Sequence, residues 1–183
     1  MIGRRQAMIL GGGALAGAAL PLRAAGGGLP AGIEFPSIDG GTLRMDDWRG
    51  RPVLVVNTAS LCGYTDQYDD LQALHEDYGP RGLIVLAVPS DDFRQELASD
   101  AAVAEFCELN FNLTLPMTTI TSVRGAAAHP FFQWLRQTYG FEPGWNFNKV
   151  LLDGEGRMVA SFGSNTRPTG SRMRREIEAL LGA

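Results

Sequence analysis

Two stretches constrain this chain most. Val53-Leu54-Val55-Val56-Asn57 and Leu83-Ile84-Val85-Leu86-Ala87-Val88 are unbroken apolar runs rich in β-branched residues. A run with no polar alternation fits a strand buried on both faces, as in a parallel sheet. Between them, Tyr68, Leu71, Leu74 and Tyr78 recur at steps of three and four, the spacing of an amphipathic helix over residues 66–78, which Gly79-Pro80 then stops. Strand, helix, strand in this order is a βαβ unit.

The flanks fill in the rest. Residues 33–38 and 42–44 read as a hairpin around Asp39-Gly40-Gly41, and residues 147–152 and 157–162 as a second around Asp153-Gly154-Glu155-Gly156. Ser99 can cap a helix running through Leu109, with Val103, Phe106 and Cys107 on one face. Further helices are expected over 130–139 and 171–181. The whole is an α/β domain of thioredoxin-like type: a three-layer sandwich with a central mixed sheet, flanking helices and an N-terminal β-hairpin.

The first 25 residues differ. Arg4-Arg5 precede an uninterrupted apolar and Gly/Ala run from Met8 to Leu20, and small residues follow at Ala24-Ala25. That is the layout of an export signal, and the paired arginines resemble a twin-arginine signal. The run is too short and Gly-rich for a stable membrane span. We therefore expect a periplasmic or otherwise exported protein with no membrane span once the signal is removed. Residues 26–32 read as a flexible lead-in and 33–183 as one folded domain.

Charge and composition exclude several functions. The net charge is −4, and near −7 without the three signal arginines. That disfavours a nucleic-acid face and docking on anionic lipid. Two cysteines and two well-separated histidines rule out a disulfide-dense scaffold and a Cys- or His-rich metal site. No metal and no cofactor are expected. His75 and His129 suit solvated helix positions better than catalysis.

Chemistry is most legible at Val56–Thr65, where a buried strand ends and a helix begins. Ligand sites favour the carboxyl ends of such strands. A cysteine at the helix start meets the positive end of the macrodipole and free backbone N–H groups, which favour the thiolate. Cys62 holds that position, and Gly63 leaves its approach open. The alternative is a small buried apolar residue. Trp145-Asn146, at the start of a strand, offers indole and amide donors to a reacting oxygen or sulfur anion.

Together these motifs resemble the glutathione peroxidase family over residues 33–181. The matching segments are Asn57-Thr58-Ala59-Ser60-Leu61-Cys62-Gly63-Tyr64-Thr65, Leu86-Ala87-Val88-Pro89 with Phe93, Phe106-Cys107-Glu108-Leu109-Asn110, Leu115-Pro116-Met117, His129-Pro130 and Trp145-Asn146-Phe147-Asn148-Lys149. The resemblance implies a cysteine-type peroxidase acting on hydrogen peroxide or organic hydroperoxides and defending against oxidative stress. It implies Cys62 as nucleophile with Trp145 and Asn146 as partners. Cys107 stands where two-cysteine members carry a resolving cysteine, to be regenerated by a thioredoxin-like protein or another thiol reductant. A buried inert thiol and a permanent structural disulfide are the competing readings of Cys107. Family members of this type tend to be monomers. No anion-binding cluster for glutathione can be identified.

One departure stands out. Where the family reads Pro-Cys-Asn-Gln-Phe, this chain reads Pro89-Ser90-Asp91-Asp92-Phe93, so Asp92 replaces the catalytic Gln. Residues 94–98 also lack the family's Gly-rich run and Gln-Glu-Pro. An ionised Asp92 accepts hydrogen bonds only and repels a thiolate, so it must be protonated or turned away, with Asp91 or the local backbone in its place. It is the main argument for a non-catalytic or sensor-type descendant. A thiol–disulfide oxidoreductase is disfavoured because Thr65, not a second cysteine, stands three residues after Cys62. The enzyme reading needs the Cys62 sulfur reachable at the mouth of a shallow pocket, with Trp145 facing it.

Overall fold

The computed structural model describes residues 27–182; the expected export segment lies outside the described residues. A four-stranded sheet in the order β4-β3-β5-β6 forms the centre. It comprises β3 (Val53–Thr58), β4 (Ile84–Pro89), β5 (Lys149–Leu152) and β6 (Met158–Phe162). β3 pairs parallel with β4, from Val53 opposite Ile84 to Thr58 opposite Pro89, and antiparallel with β5. β5 and β6 pair antiparallel, with an irregularity between Leu151 and Leu152. The first hairpin, β1 (Glu34–Pro36) with β2 (Thr42–Arg44), forms a separate small sheet.

Every residue of β3, β4 and β5 is buried, as continuous apolar runs require of strands covered on both faces. Alternate side chains serve two cores. Leu54 and Val56 point to a layer formed by α1 (Gln67–Tyr78), α2 (Asp100–Phe111) and α4 (Ser171–Leu181). Val53 and Val55 point to the opposite layer, with α3 (Pro130–Tyr139) and the first hairpin. This is the expected thioredoxin-like three-layer arrangement.

The helix signals act as anticipated. Ser99 Oγ accepts from Ala102 N and starts α2, which runs two residues beyond Leu109 and ends at Asn112 in the left-handed conformation. Val103 and Cys107 are buried, and Phe106 half-buried.

Two expectations need correction. His129 is half-buried and bonded rather than freely solvated. It caps α3, its Nδ1 accepting from Phe131 N at 3.3 Å while Nε2 meets Glu34 O at 3.0 Å, and its ring stacks on Phe35 at 3.9 Å. Nor is the lead-in loose from Gly28 onward. Leu29 is buried, its N–H donates to Gly156 O, and Arg49 donates to its carbonyl. One apolar side chain is enough to dock that segment on the β5–β6 turn.

Candidate active site

β3 ends at Thr58 and α1 begins only at Gln67, so Cys62 does not open the helix. It lies in turns that wind toward it: Thr65 N donates to Cys62 O, Gln67 N to Tyr64 O and Tyr68 N to Thr65 O. The helix field fades within its first turn, so the macrodipole acts on Cys62 less than a helix-start position implies.

Cys62 is also more covered than expected. It is 6% exposed, between Leu61, which is 60% exposed, and Gly63, where an added Cβ would meet open space. The sulfur therefore sits just below the surface rather than at an open mouth, with an approach over Gly63.

Three segments meet around this turn. The first is the turn itself. The second follows β4: Leu61 N donates to Gln95 O at 2.8 Å, and Ser60 N donates to Glu96 Oε1 at 3.0 Å. The third precedes β5 and carries Trp145 and Asn146, which stand in a loop rather than on a strand. Asn57, near the end of β3, anchors that loop. Its Nδ2 donates to Trp145 O at 3.1 Å, its O accepts from Phe147 N, and its Oδ1 accepts from Asn148 N. Asn146 is fully buried, its carbonyl accepts from Ser164 Oγ, and its Nδ2 donates to Gln95 Oε1 at 3.0 Å. The Trp145 indole is 43% exposed and packs on Phe93 at 5.3 Å.

Asp92 is turned away. Its carboxylate accepts from Val123 N at 2.6 Å, Arg124 N at 3.1 Å and Ser122 Oγ at 3.2 Å. It closes the 122–124 loop instead of replacing the expected glutamine among the catalytic groups. Three donors converge there. Asp91 does not take its place either: its Oδ1 accepts from Glu96 N. The residue that reaches Asn146 is Gln95, which the sequence reading passed over. Its signal was the dipeptide Gln95-Glu96, two of the three residues of the Gln-Glu-Pro tripeptide.

The buried ground beneath the turn is polar. Thr58 Oγ1, Ser60 Oγ, Glu96 Oε2 and Asn146 Oδ1 are buried without a hydrogen-bond partner. The Tyr68 hydroxyl lies beside Thr58 and Cys107 without a bond of good geometry. Burial raises Glu96 above the usual carboxylate range, against the lowering effect of Ser60 and Leu97. Burial also pushes the Cys107 thiol up to about 11, partly opposed by the Tyr68 hydroxyl. Both cysteines are free thiols in one core. Cys107 backs onto a cavity of about 330 Å³ lined also by Asp39, Glu108 and Asn112.

A buried cation braces the other side. Lys149 Nζ donates to Gln67 Oε1, Thr166 O and Ser164 O. Desolvation lowers it to about 7, but only an ammonium has three N–H groups for three acceptors. It ties the start of α1 to the 164–166 loop, and so supports both the Cys62 turn and the Asn146 carbonyl. No group of three or more potential metal ligands occurs among the described residues.

A thioredoxin-like sheet with one cysteine in the β3–α1 turn, and the Gln95 and Asn146 amides joined beside that turn, defines a thiol redox protein. Comparison with known proteins narrows the class. The glutathione peroxidase family model matches residues 32–136. A glutathione peroxidase of Lactococcus lactis subsp. cremoris is 38% identical over 79% of this chain and 94% of its own length. Glutathione peroxidase-like peroxiredoxin 2 of Saccharomyces cerevisiae is 37% identical over 81% of this chain and 94% of its own. The crystal structure of T. cruzi GPX1 covers 82% of this chain and 94% of that one, with a TM-score of 0.61 and 26% identity. The chain belongs to the glutathione peroxidase family.

Proposed function

We propose that this chain reduces hydroperoxides at Cys62. Its family makes it a thiol-dependent peroxidase. The observation that carries the assignment to Cys62 is the convergence on its turn of two other segments, joined through Leu61–Gln95 and Asn146–Gln95. The Cys62 thiolate attacks one peroxide oxygen. The O–O bond breaks, the departing alkoxide takes a proton, and Cys62 becomes a sulfenic acid. Trp145 and Asn146 supply N–H donors to the charge on sulfur and on the leaving oxygen.

Cys107 is the resolving thiol. Its attack on the sulfenic sulfur forms a disulfide and releases water, and a dithiol protein of thioredoxin type then reduces the disulfide. Burial that pushes Cys107 to about 11 keeps it from acting in the folded state, so resolution requires local opening of α2. The N-terminal signal pattern supports export, with the periplasm as the working compartment and peroxide defence as the task. A monomer suffices, because all the groups named come from one chain.

Steady-state peroxide consumption with a dithiol reductant tests the assignment. Cys62→Ser should lower turnover by roughly a thousandfold or more. Turnover surviving in that variant would remove Cys62 from the reaction.

A further inference from the structure

We propose that the protein carries a second binding site, at the end of the sheet away from Cys62, for a small zwitterion: an apolar α-amino acid, free or as a dipeptide. The proposal does not depend on which thiol reacts.

The site is a cavity of about 360 Å³, a size usual for small-ligand pockets. Three parts of the chain meet there: Arg51 just before β3, the end of α1 with the turn into β4, and the segment that follows α2. β4 begins at Ile84 in the cavity wall, opposite Val53 of β3, and β3 ends at Thr58, where the Cys62 turn starts. Six extended residues hold the two ends roughly 20 Å apart, so a small ligand bound here does not touch the sulfur.

Opposite charges line this cavity without meeting. Arg51 and Glu76 both border it, and neither has an ion-pair partner among the described residues. Each is held by another bond. Arg51 Nε donates to Gly82 O at 2.9 Å, which leaves its terminal amino groups uncommitted. Glu76 Oε1 accepts from Gln72 Nε2 at 2.8 Å, which leaves Oε2 uncommitted.

Gln72 sets this wall. It is buried, and both ends of its amide are bonded to residues of the cavity. Its Nε2 donates to Glu76 and to Thr114 Oγ1, and its Oε1 accepts from Thr114 N at 2.9 Å. Because Thr114 Oγ1 is an acceptor there, its hydroxyl proton is available to donate. A buried amide that orients two surface groups preorganises them, which lowers the cost of binding a ligand. His75 lines the same cavity, and its Nδ1 is buried without a hydrogen-bond partner. Buried polar atoms are seldom left so.

The charges decide the ligand. A simple anion would suit Arg51 but be repelled by Glu76, and a simple cation the reverse. A molecule with both a carboxylate and an ammonium satisfies the two: the carboxylate pairs with the Arg51 guanidinium, and the ammonium donates to Glu76 Oε2. Leu83, Ile84 and Pro116 supply an apolar floor for a hydrocarbon side chain.

Ligand-observed NMR titration of the full chain with leucine and with leucyl-leucine tests this. Isovalerate, which lacks the ammonium, and isoamylamine, which lacks the carboxylate, are the controls. At least one of the two zwitterions should bind, and each control should bind at least about tenfold more weakly, the effect of losing a charge-assisted hydrogen bond. Which zwitterion binds separates the free amino acid from the peptide. Arg51→Met and Glu76→Gln should each weaken that binding about tenfold. Glu76→Gln keeps an acceptor for Gln72, so it decides alone should Arg51→Met misfold. No saturable signal from either zwitterion at about 10 mM, which fills most of a site of about 1 mM affinity, overturns the proposal. Equal binding of a single-charge control, or binding that Glu76→Gln leaves unchanged, overturns it as well.

Discussion

The two layers that cover the sheet are built differently. The α3 layer is closed by aromatic rings: Phe131 meets Phe35, Phe132 and Trp134 at centroid distances of 5.9, 5.1 and 5.8 Å. Its histidine has both ring nitrogens occupied. The α1/α2/α4 layer holds both cysteines. The buried polar atoms without partners lie on its side: at the end of β3 and the turn after it, on α1, in the segment after β4 and at Asn146. Unpartnered buried polar atoms are costly, so the gathering of four of them, at Thr58, Ser60, Glu96 and Asn146, around one turn needs a reason beyond packing. One face is closed by rings around Phe131, and the other combines its apolar core with both cysteines and the unpartnered polar atoms.

Substitutions can break this contrast. Phe131→Ala should remove roughly 3–5 kcal/mol of stability, while the folded fraction keeps the peroxide rate of the parent. Denaturant titration with rates normalised to folded protein checks it; a drop in that normalised rate would show that the layers are not independent. Thr58→Val, in the polar layer, loses no formed hydrogen bond and should change stability by less than about 1 kcal/mol. A loss of several kcal/mol there would mean that the polar ground is as tightly bonded as the aromatic one.

The smallest effect is a pH dependence from His129. Burial lowers its pKa, against the Glu34 carbonyl, which raises it. Between the ordinary value near 6.5 and the lowered one, the unfolded chain binds more protons than the folded chain, so stability rises with pH across that window. Acidification from neutrality should therefore lower the melting temperature, and protonating Nδ1 also removes the α3 cap. His129→Gln should flatten that slope. An unchanged slope would place the acid sensitivity elsewhere.

Sequence reading succeeded where a local pattern decides the outcome. Buried strands declare themselves by unbroken apolar runs. The α3 and α4 limits follow from Pro130 at a first helical position and from closing glycines. It failed where side-chain direction decides. Nothing in the order Asp91-Asp92-Phe93-Arg94-Gln95 says that Asp92 turns to the backbone of residues 122–124, or that left-handed Arg94 swings Gln95 back to Asn146. The depth of Cys62 was equally hidden, because four turn residues separate it from the helix. His129 was misjudged because Glu34 and Phe35, its partners, lie far away in sequence.

Everything turns on which sulfur meets the peroxide. Mass spectrometry of the protein after one equivalent of hydrogen peroxide, with trapping of sulfenic acid, reads this directly. The account predicts one added oxygen on the Cys62 peptide in Cys107→Ser, and a Cys62–Cys107 disulfide in the unaltered chain. Oxidation confined to Cys107, or to neither cysteine, would contradict it.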